Sequence, residues 1–157
     1  MLSRVADNLY WMSRFIERAE SITRMVEVNQ SSSLECIEDS LSEFWDPVLK
    51  AICASEIFNE RTKIDIGQFL FFGSDFPNSV KNCFLYAREN ARMVRDQLSV
   101  EMWVELNNIY LFFQSGQAEA TFLQNPQEFF QKVIRFSLVF QGLSGATIPH
   151  DEGWRFM

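Results

Sequence analysis

From Ser3 to Val28 the apolar residues Val5, Leu9, Met12, Ile16, Ala19 and Val26 recur at steps of three, four or seven. That spacing stacks them on one face of a first helix. The polar run Gln30 to Ser33 is expected to break it. A second helix offers Phe44, Trp45, Val48, Leu49 and Ile52 for burial, with Asp46 and Pro47 placed as a cap and first helical residue at which it restarts or kinks. Asp65 is expected to cap a short helix through Phe69, Leu70 and Phe72, stopped by Gly73. Pro77 and Asn78 open a fourth, in which Val80, Phe84, Ala87, Ala91, Val94 and Leu98 alternate steps of four and three without a slip. Ser99 caps a fifth helix carrying Met102, Leu106, Ile109 and Phe113, and Gln114 to Gln124 reads as a loop with at most one turn. Asn125, Pro126 and Glu128 have the order of a capping box around a first-turn proline. The sixth helix they open should run to about Phe140 and end at Gly142 and Gly145. Every periodic segment follows 3.6 rather than 2, so the sequence predicts an all-α, antiparallel bundle of about six helices with essentially no strand.

Composition agrees with that pattern. Hydrophobic residues make up 47% of the 157, with 16 Phe and 4 Trp against 6 Gly and 4 Pro, which excludes a disordered or turn-rich chain. The formal net charge of −7 argues against nucleic acid and anionic lipid as partners, since both need a basic footprint. Cys36, Cys53 and Cys83 are far apart and form no CxxC pair, so they are expected as small core residues rather than metal ligands. Charges interrupt the N-terminus, and no apolar run approaches the ~18 residues of a membrane span, so the expected location is the cytoplasm, off the membrane.

Candidate chemistry begins on the first helix, where Asp7, Trp11, Arg14 and Arg18 share a second stripe opposite the apolar one, flanked by Tyr10 and Met25. A face that mixes aromatics with arginines is expected to be packed or to line a cleft. Trp11 and Arg14 should therefore be buried, leaving a strip around Ser13, Glu20 and Arg24 for water. Arg14 and Arg18, one turn apart with Asp7 or Glu17 to orient them, suit either an anion-holding site or a buried ion-pair network. On the fourth helix Lys81, Arg88, Arg92 and Arg95 fall in one sector, with Glu89 and Asn90 pointing elsewhere. Seam-to-seam packing of these two helices is expected to gather Glu17, Arg18, the basic stripe and Asn90 into one polar cluster. The lone histidine, His150, stands beside Asp151 and Glu152, a pairing fit for proton transfer or for local hydrogen bonding. No phosphate loop, nucleophile elbow or HExxH string is present, so no enzyme class is identified by a short motif and no cofactor is implied.

The strings LSRVADNLYWMSRFIERAE at 2 to 20, FPNSVKNCFLYARENARMVRDQLSVEMWVELNNIY at 76 to 110 and FQGLSGATIPHDEGWRF at 140 to 156 closely resemble the alpha-E family, a helical domain named for an ER motif. The resemblance places that motif at Glu17 and Arg18, with further signature positions at Arg14, Arg88, Glu89, Asn90, Arg92, His150, Glu152, Gly153 and Trp154. It also implies a domain about twice this length with a second ER helix. The chain is thus expected to be one helical domain, 1 to 157, that forms the N-terminal half of a longer one. Family members resemble partners of circularly permuted ATP-grasp ligases, often with a transglutaminase-like protein nearby, which implies a role in making or modifying peptide or amide bonds.

Two readings stay open at this stage. In one, the chain is an accessory module of such a ligase whose Arg and Glu residues hold an anionic substrate or intermediate. In the other it is a non-enzymatic interaction protein or an inactive remnant. Trp154, Phe156 and Met157 in the last four positions suggest a truncated apolar face. Together with Phe71 and Phe72, Trp154 and Phe156 are expected to form an exposed patch that drives self-association or requires a partner.

Overall fold

The computed structural model describes residues 3–33, 41–59 and 65–147. Among these residues the chain is all-α: α1 (Ser3–Ser33), α2 (Leu41–Ala51), α3 (Ser55–Asn59), α4 (Ile66–Phe72), α5 (Val80–Met93), α6 (Val100–Gln114), α7 (Gln117–Gln124) and α8 (Pro126–Thr147), with a 3₁₀ turn at Arg95–Gln97. Three starts are fixed by side chains that accept an orphan amide of the first turn. Asp65 accepts from the Gln68 amide, Ser79 from that of Asn82, and Ser99 from that of Met102. Asn125 does the same for Glu128 at 3.2 Å, as expected, although the Glu128 carboxylate meets the Asn125 side-chain amide at 3.5 Å rather than the backbone.

Several boundaries differ from the sequence reading, each for a local reason. α1 runs through Gln30 to Ser33 instead of breaking there, because the Ser31 hydroxyl donates to the Glu27 carbonyl and is satisfied inside the helix. Pro47 lies inside α2, and Asp46 serves as the partner of Lys50 one turn on rather than as a cap. Cys53 is not a core residue. It is exposed at φ 55°, and the amides of Cys53 and Ala54 close back onto the carbonyls of Lys50 and Leu49 in a Schellman-type end to α2. The expected loop before residue 125 holds α7, which Gly116 sets up at φ 78° and which buries Ala118 and Phe122, one turn apart. α8 passes both Gly142 and Gly145, where a glycine weakens a helix without stopping it.

The core lies where α1, α5, α6 and α8 meet. Glu27 of α1 accepts from Gln127 and Gln131 of α8, while Glu20 accepts from Gln141, so α1 and α8 run antiparallel. Arg18 reaches Asn78 and Phe15 meets Tyr86, which sets α5 antiparallel to α1 on the other side. The fourth-helix seam is buried throughout, from Val80 through Phe84, Ala87 and Ala91 to Val94 and Leu98. Seven phenylalanines, at 71, 72, 112, 113, 122, 129 and 130, join α4, α6, α7 and α8 through ring contacts between 4.9 and 6.3 Å. Phe71 is fully buried at their centre and Phe72 half-buried, so neither contributes the exposed patch expected of them. Trp154 and Phe156 lie outside the described residues.

Candidate functional site

α5 and α8 are the main neighbours of α1, with smaller contacts from α2 and α4. α8 lies along the Glu20 and Glu27 edge and α5 meets Phe15, while Ser13 is buried at 8% exposure. Arg24 is exposed as expected, whereas Ser13 is buried and Glu20 mostly covered; Tyr10, Trp11 and Arg14 are exposed instead. Trp11 is 40% exposed and Tyr10 44%, and the Arg14 side chain is about half exposed at 51%. Burial of Trp11 and Arg14 is thereby overturned, because among the described residues no helix packs over that side of α1.

These side chains form a continuous surface. Tyr10 meets Trp11 edge-on at 5.3 Å, Trp11 meets Phe15 at 5.9 Å, and Phe15 meets Tyr86 of α5 at 5.3 Å. Tyr86 is itself 38% exposed. Arg18 lies over Phe15 at 5.5 Å, and its guanidinium donates to the Asn78 side-chain oxygen at 2.9 Å. Arg14 pairs with Glu17 one turn on, an exposed intrahelical pair worth at most about 1 kcal/mol. Beneath this surface the Cys83 thiol donates to the Asn78 carbonyl at 3.5 Å. Burial pushes its pKa up to about 12, against the opposing pull of the Arg18 charge.

The fourth-helix cations separate. Arg88 turns to α6: it donates to the Asn107 side-chain oxygen at 2.7 Å and lies over Tyr110 at 4.5 Å and Trp103 at 5.7 Å. Arg95 also lies over Trp103 and donates to the Leu98 carbonyl. Glu89 does not point away from the stripe, since its carboxylate bridges Arg88 at 3.2 Å and Arg92 at 2.7 Å. Long guanidinium side chains reach around the helix where a bare angular count separates them. Asn90 donates to the Tyr86 carbonyl within its own helix. The expected joint cluster reduces to the Arg18–Asn78 bond at the start of α5. Among the described residues, Arg14, Glu17 and Arg18 make no hydrogen bond or ion pair with Arg88, Glu89, Asn90 or Arg92. His150 and Glu152 lie outside the described residues. Among the described residues no group of three or more His, Cys, Asp or Glu is placed to hold a metal ion, and no helix is long and apolar enough to cross a membrane.

A groove on another part of the surface escaped the sequence reading. Between α6 and α8 runs a groove of about 790 Å³ with Ile109, Phe112 and Phe136 along its floor and Glu128, Lys132 and Arg135 along one wall. The signal was present, since Glu128, Lys132, Arg135 and Val139 follow one another at helical steps. An exposed charged stripe reads as solvated surface until the facing helix is known.

The whole chain, residues 1–157, matches the family model for "a predicted alpha-helical domain with a conserved ER motif". The chain belongs to the Alpha-E family. Uncharacterized proteins of Mycobacterium bovis and Mycobacterium tuberculosis are each 25% identical to it over 179 aligned residues, covering 98% of this chain and 20% of the relative. This Alpha-E chain thus spans about a fifth of the length of the curated relatives it matches. No solved structure matches it. Glu17 and Arg18, adjacent on α1, lie on the edge of the exposed aromatic surface.

Proposed function

We propose that this Alpha-E chain is a helical docking module that works with an ATP-grasp-type ligase, with a transglutaminase-like protein as the second candidate partner. Its docking surface is the aromatic and arginine strip of α1 and α5. The observation that carries the reading is the exposure of Tyr10, Trp11 and Tyr86 in one connected surface beside Arg14. Trp, Tyr and Arg are the residues that dominate binding energy at protein interfaces. The signature arginines support docking over catalysis: Arg14, Arg18 and Arg88 each engage different intramolecular partners instead of converging on one cavity. In the same reading the chain is the N-terminal half of a longer helical domain, and its partner acts on peptide or amide bonds in the cytoplasm.

A competing reading keeps Arg14 and Arg18 as the holders of an anionic substrate or intermediate. It is favoured by the exposure of Arg14, which among the described residues pairs with Glu17 of its own helix. The test is sedimentation of the chain with an ATP-grasp-type ligase, followed by ATP turnover of the mixture. Trp11→Ala should weaken the complex by about 30-fold, the effect of losing a hot spot of about 2 kcal/mol. Leu138→Ala, an exposed apolar position on α8 outside the strip, should leave it unchanged. A complex that survives Trp11→Ala intact refutes the docking surface, and loss of turnover by Arg14→Ala within an intact complex selects the substrate-holding reading.

A further inference from the structure

The groove between α6 and α8 carries a pattern that neither docking at α1 nor core packing explains. α6 is antiparallel to α5, with Arg88 at Asn107 and Arg95 at Trp103, and both α5 and α8 are antiparallel to α1, so α6 and α8 run antiparallel and the groove lies between them. Its polar wall on α8 begins with Glu128 and continues through Lys132 and Arg135. Glu128 and Lys132 stand one turn apart in the orientation that favours an ion pair. Lys132 instead rests over the Phe112 ring, its Nζ 4.0 Å from the centroid, and keeps Phe112 only 5% exposed. Arg135 is exposed and has no ion pair among the described residues. Two cations therefore sit at the middle of a groove with an apolar floor, and Glu128 and Glu105 stand toward its two ends.

We infer that the α6–α8 groove binds a short, extended peptide with free termini, its ammonium at Glu128, its carboxylate between Lys132 and Arg135, and an apolar side chain on Phe112 and Phe136. The spacing sets the length. At 1.5 Å per residue, Glu128 is about 6 Å from Lys132 and about 10 Å from Arg135 along α8, and two or three extended residues span about 7 to 10 Å. When Lys132 turns to the carboxylate it uncovers Phe112, so charge recognition opens the apolar floor. Asn108 and Gln131 on the two walls offer donors and acceptors to the peptide backbone. A polyanion such as a nucleotide is disfavoured, because carboxylates flank the cations at both ends. This inference rests on a different face from the proposed docking surface and does not depend on it.

The experiment is calorimetric titration of the chain with the tripeptide Ala-Ala-Phe, its C-terminal amide and its N-acetyl form, with amide chemical shifts recorded in parallel. Free Ala-Ala-Phe should bind saturably and shift Phe112 and Phe136. The amide should bind at least about 10-fold more weakly, as expected for loss of a charge-assisted contact. The combined Lys132→Met and Arg135→Gln variant should lose the preference for the free carboxylate. Glu128→Gln should weaken the free peptide but not its N-acetyl form. All of these positions are partly or fully exposed, and thermal melts matching wild type should establish that the variants fold. Absence of saturable binding up to about 10 mM, equal affinity for acid and amide, or shifts confined to α1 and α5 each overturn the site. Trp11→Ala should leave peptide binding unchanged, so failure here is separable from failure of the docking reading.

Discussion

Replacement of Arg88 by alanine is predicted to loosen the joint between α5 and α6 while leaving the exposed α1 strip untouched. Arg88 is only 25% exposed through its side chain, and it gathers four partners. The bond to Asn107 at 2.7 Å is charge-assisted, a class worth about 1.5 to 3 kcal/mol. The Tyr110 ring, 4.5 Å from the guanidinium carbon, adds about 0.5 to 2 kcal/mol. The Glu89 pair is 3.2 Å long on a side chain 42% exposed, so it adds little, and Trp103 at 5.7 Å contributes mainly packing. The loss should be about 2 to 4 kcal/mol. At roughly 2 to 4 °C per kcal/mol for a chain of this size, Arg88→Ala should lower Tm by about 5 to 15 °C. Arg88→Lys should recover little of it, because an ammonium lacks the planar fork that reaches Asn107 while stacking on Tyr110. The assay is thermal melting followed by circular dichroism, with Arg14→Ala as comparison. Arg14 has one exposed partner, and its loss should shift Tm by no more than a few degrees. An Arg88→Ala protein that melts like wild type but fails with its partner refutes the structural reading and returns Arg88 to the functional site.

Two glycines should respond with opposite signs. At Gly67 an added Cβ meets the Phe122 ring tip at 2.7 Å and the capping oxygen of Asp65 at 3.0 Å, so Gly67→Ala should cost about 1 to 3 kcal/mol in urea unfolding. At Gly142 it meets nothing within 4 Å, and Gly142→Ala should stabilise by about 0.5 to 1 kcal/mol. Stability should also fall at high pH because of Cys83. Its thiol, raised by burial from 9.0 to about 12, gives a contribution that is fully present below pH 9 and is lost as pH rises toward 12. The steepest loss is about 1.4 kcal/mol per pH unit. A Cys83→Ala variant should show a shallower decline in urea midpoint over that range, and an unchanged slope would refute the assignment.

The parts of the fold legible in the sequence were those decided by neighbours within a turn. Ser99, Asp65 and Asn125 announced their helices because a capping oxygen acts on amides two or three residues away. The Val80 to Leu98 seam was legible because one face of it is buried without a break. The misreadings share a cause. Gly142, Gly145 and Pro47 are weak helix formers, and each was read as a boundary, yet each lies within a helix. Leu143 packs on the core just past Gly142, and Trp45 and Val48 flank Pro47 in the same way. Tertiary packing outweighs a local cost of about 1 kcal/mol at a glycine. α7 was missed for the converse reason, since Phe122 finds its helix-stabilising partners in Phe71, Phe72 and Phe129, far away in sequence.

The site was legible in residue type but not in facing. Periodicity showed that Tyr10, Trp11 and Arg14 share a stripe, yet a stripe of large side chains looks the same whether a helix of this chain or another molecule is meant to cover it. Among the described residues no helix covers the stripe, and the arrangement of charge then says how such a surface could bind. Trp11 lies between Tyr10 and Phe15 with no charge of its own to desolvate, which suits the dry centre of an interface. Arg14 already has Glu17 beside it, so it can stay at a wet rim without needing an acceptor from the partner. A centre and a rim act on different steps of association. Loss of the Trp11 ring should shorten the lifetime of the complex, whereas loss of the Arg14 charge should act through the encounter rate and its dependence on salt. If the two substitutions instead changed the same rate constant by the same factor, Arg14 would have to sit in the desolvated centre beside Trp11, and the ion pair with Glu17 would have to open on binding.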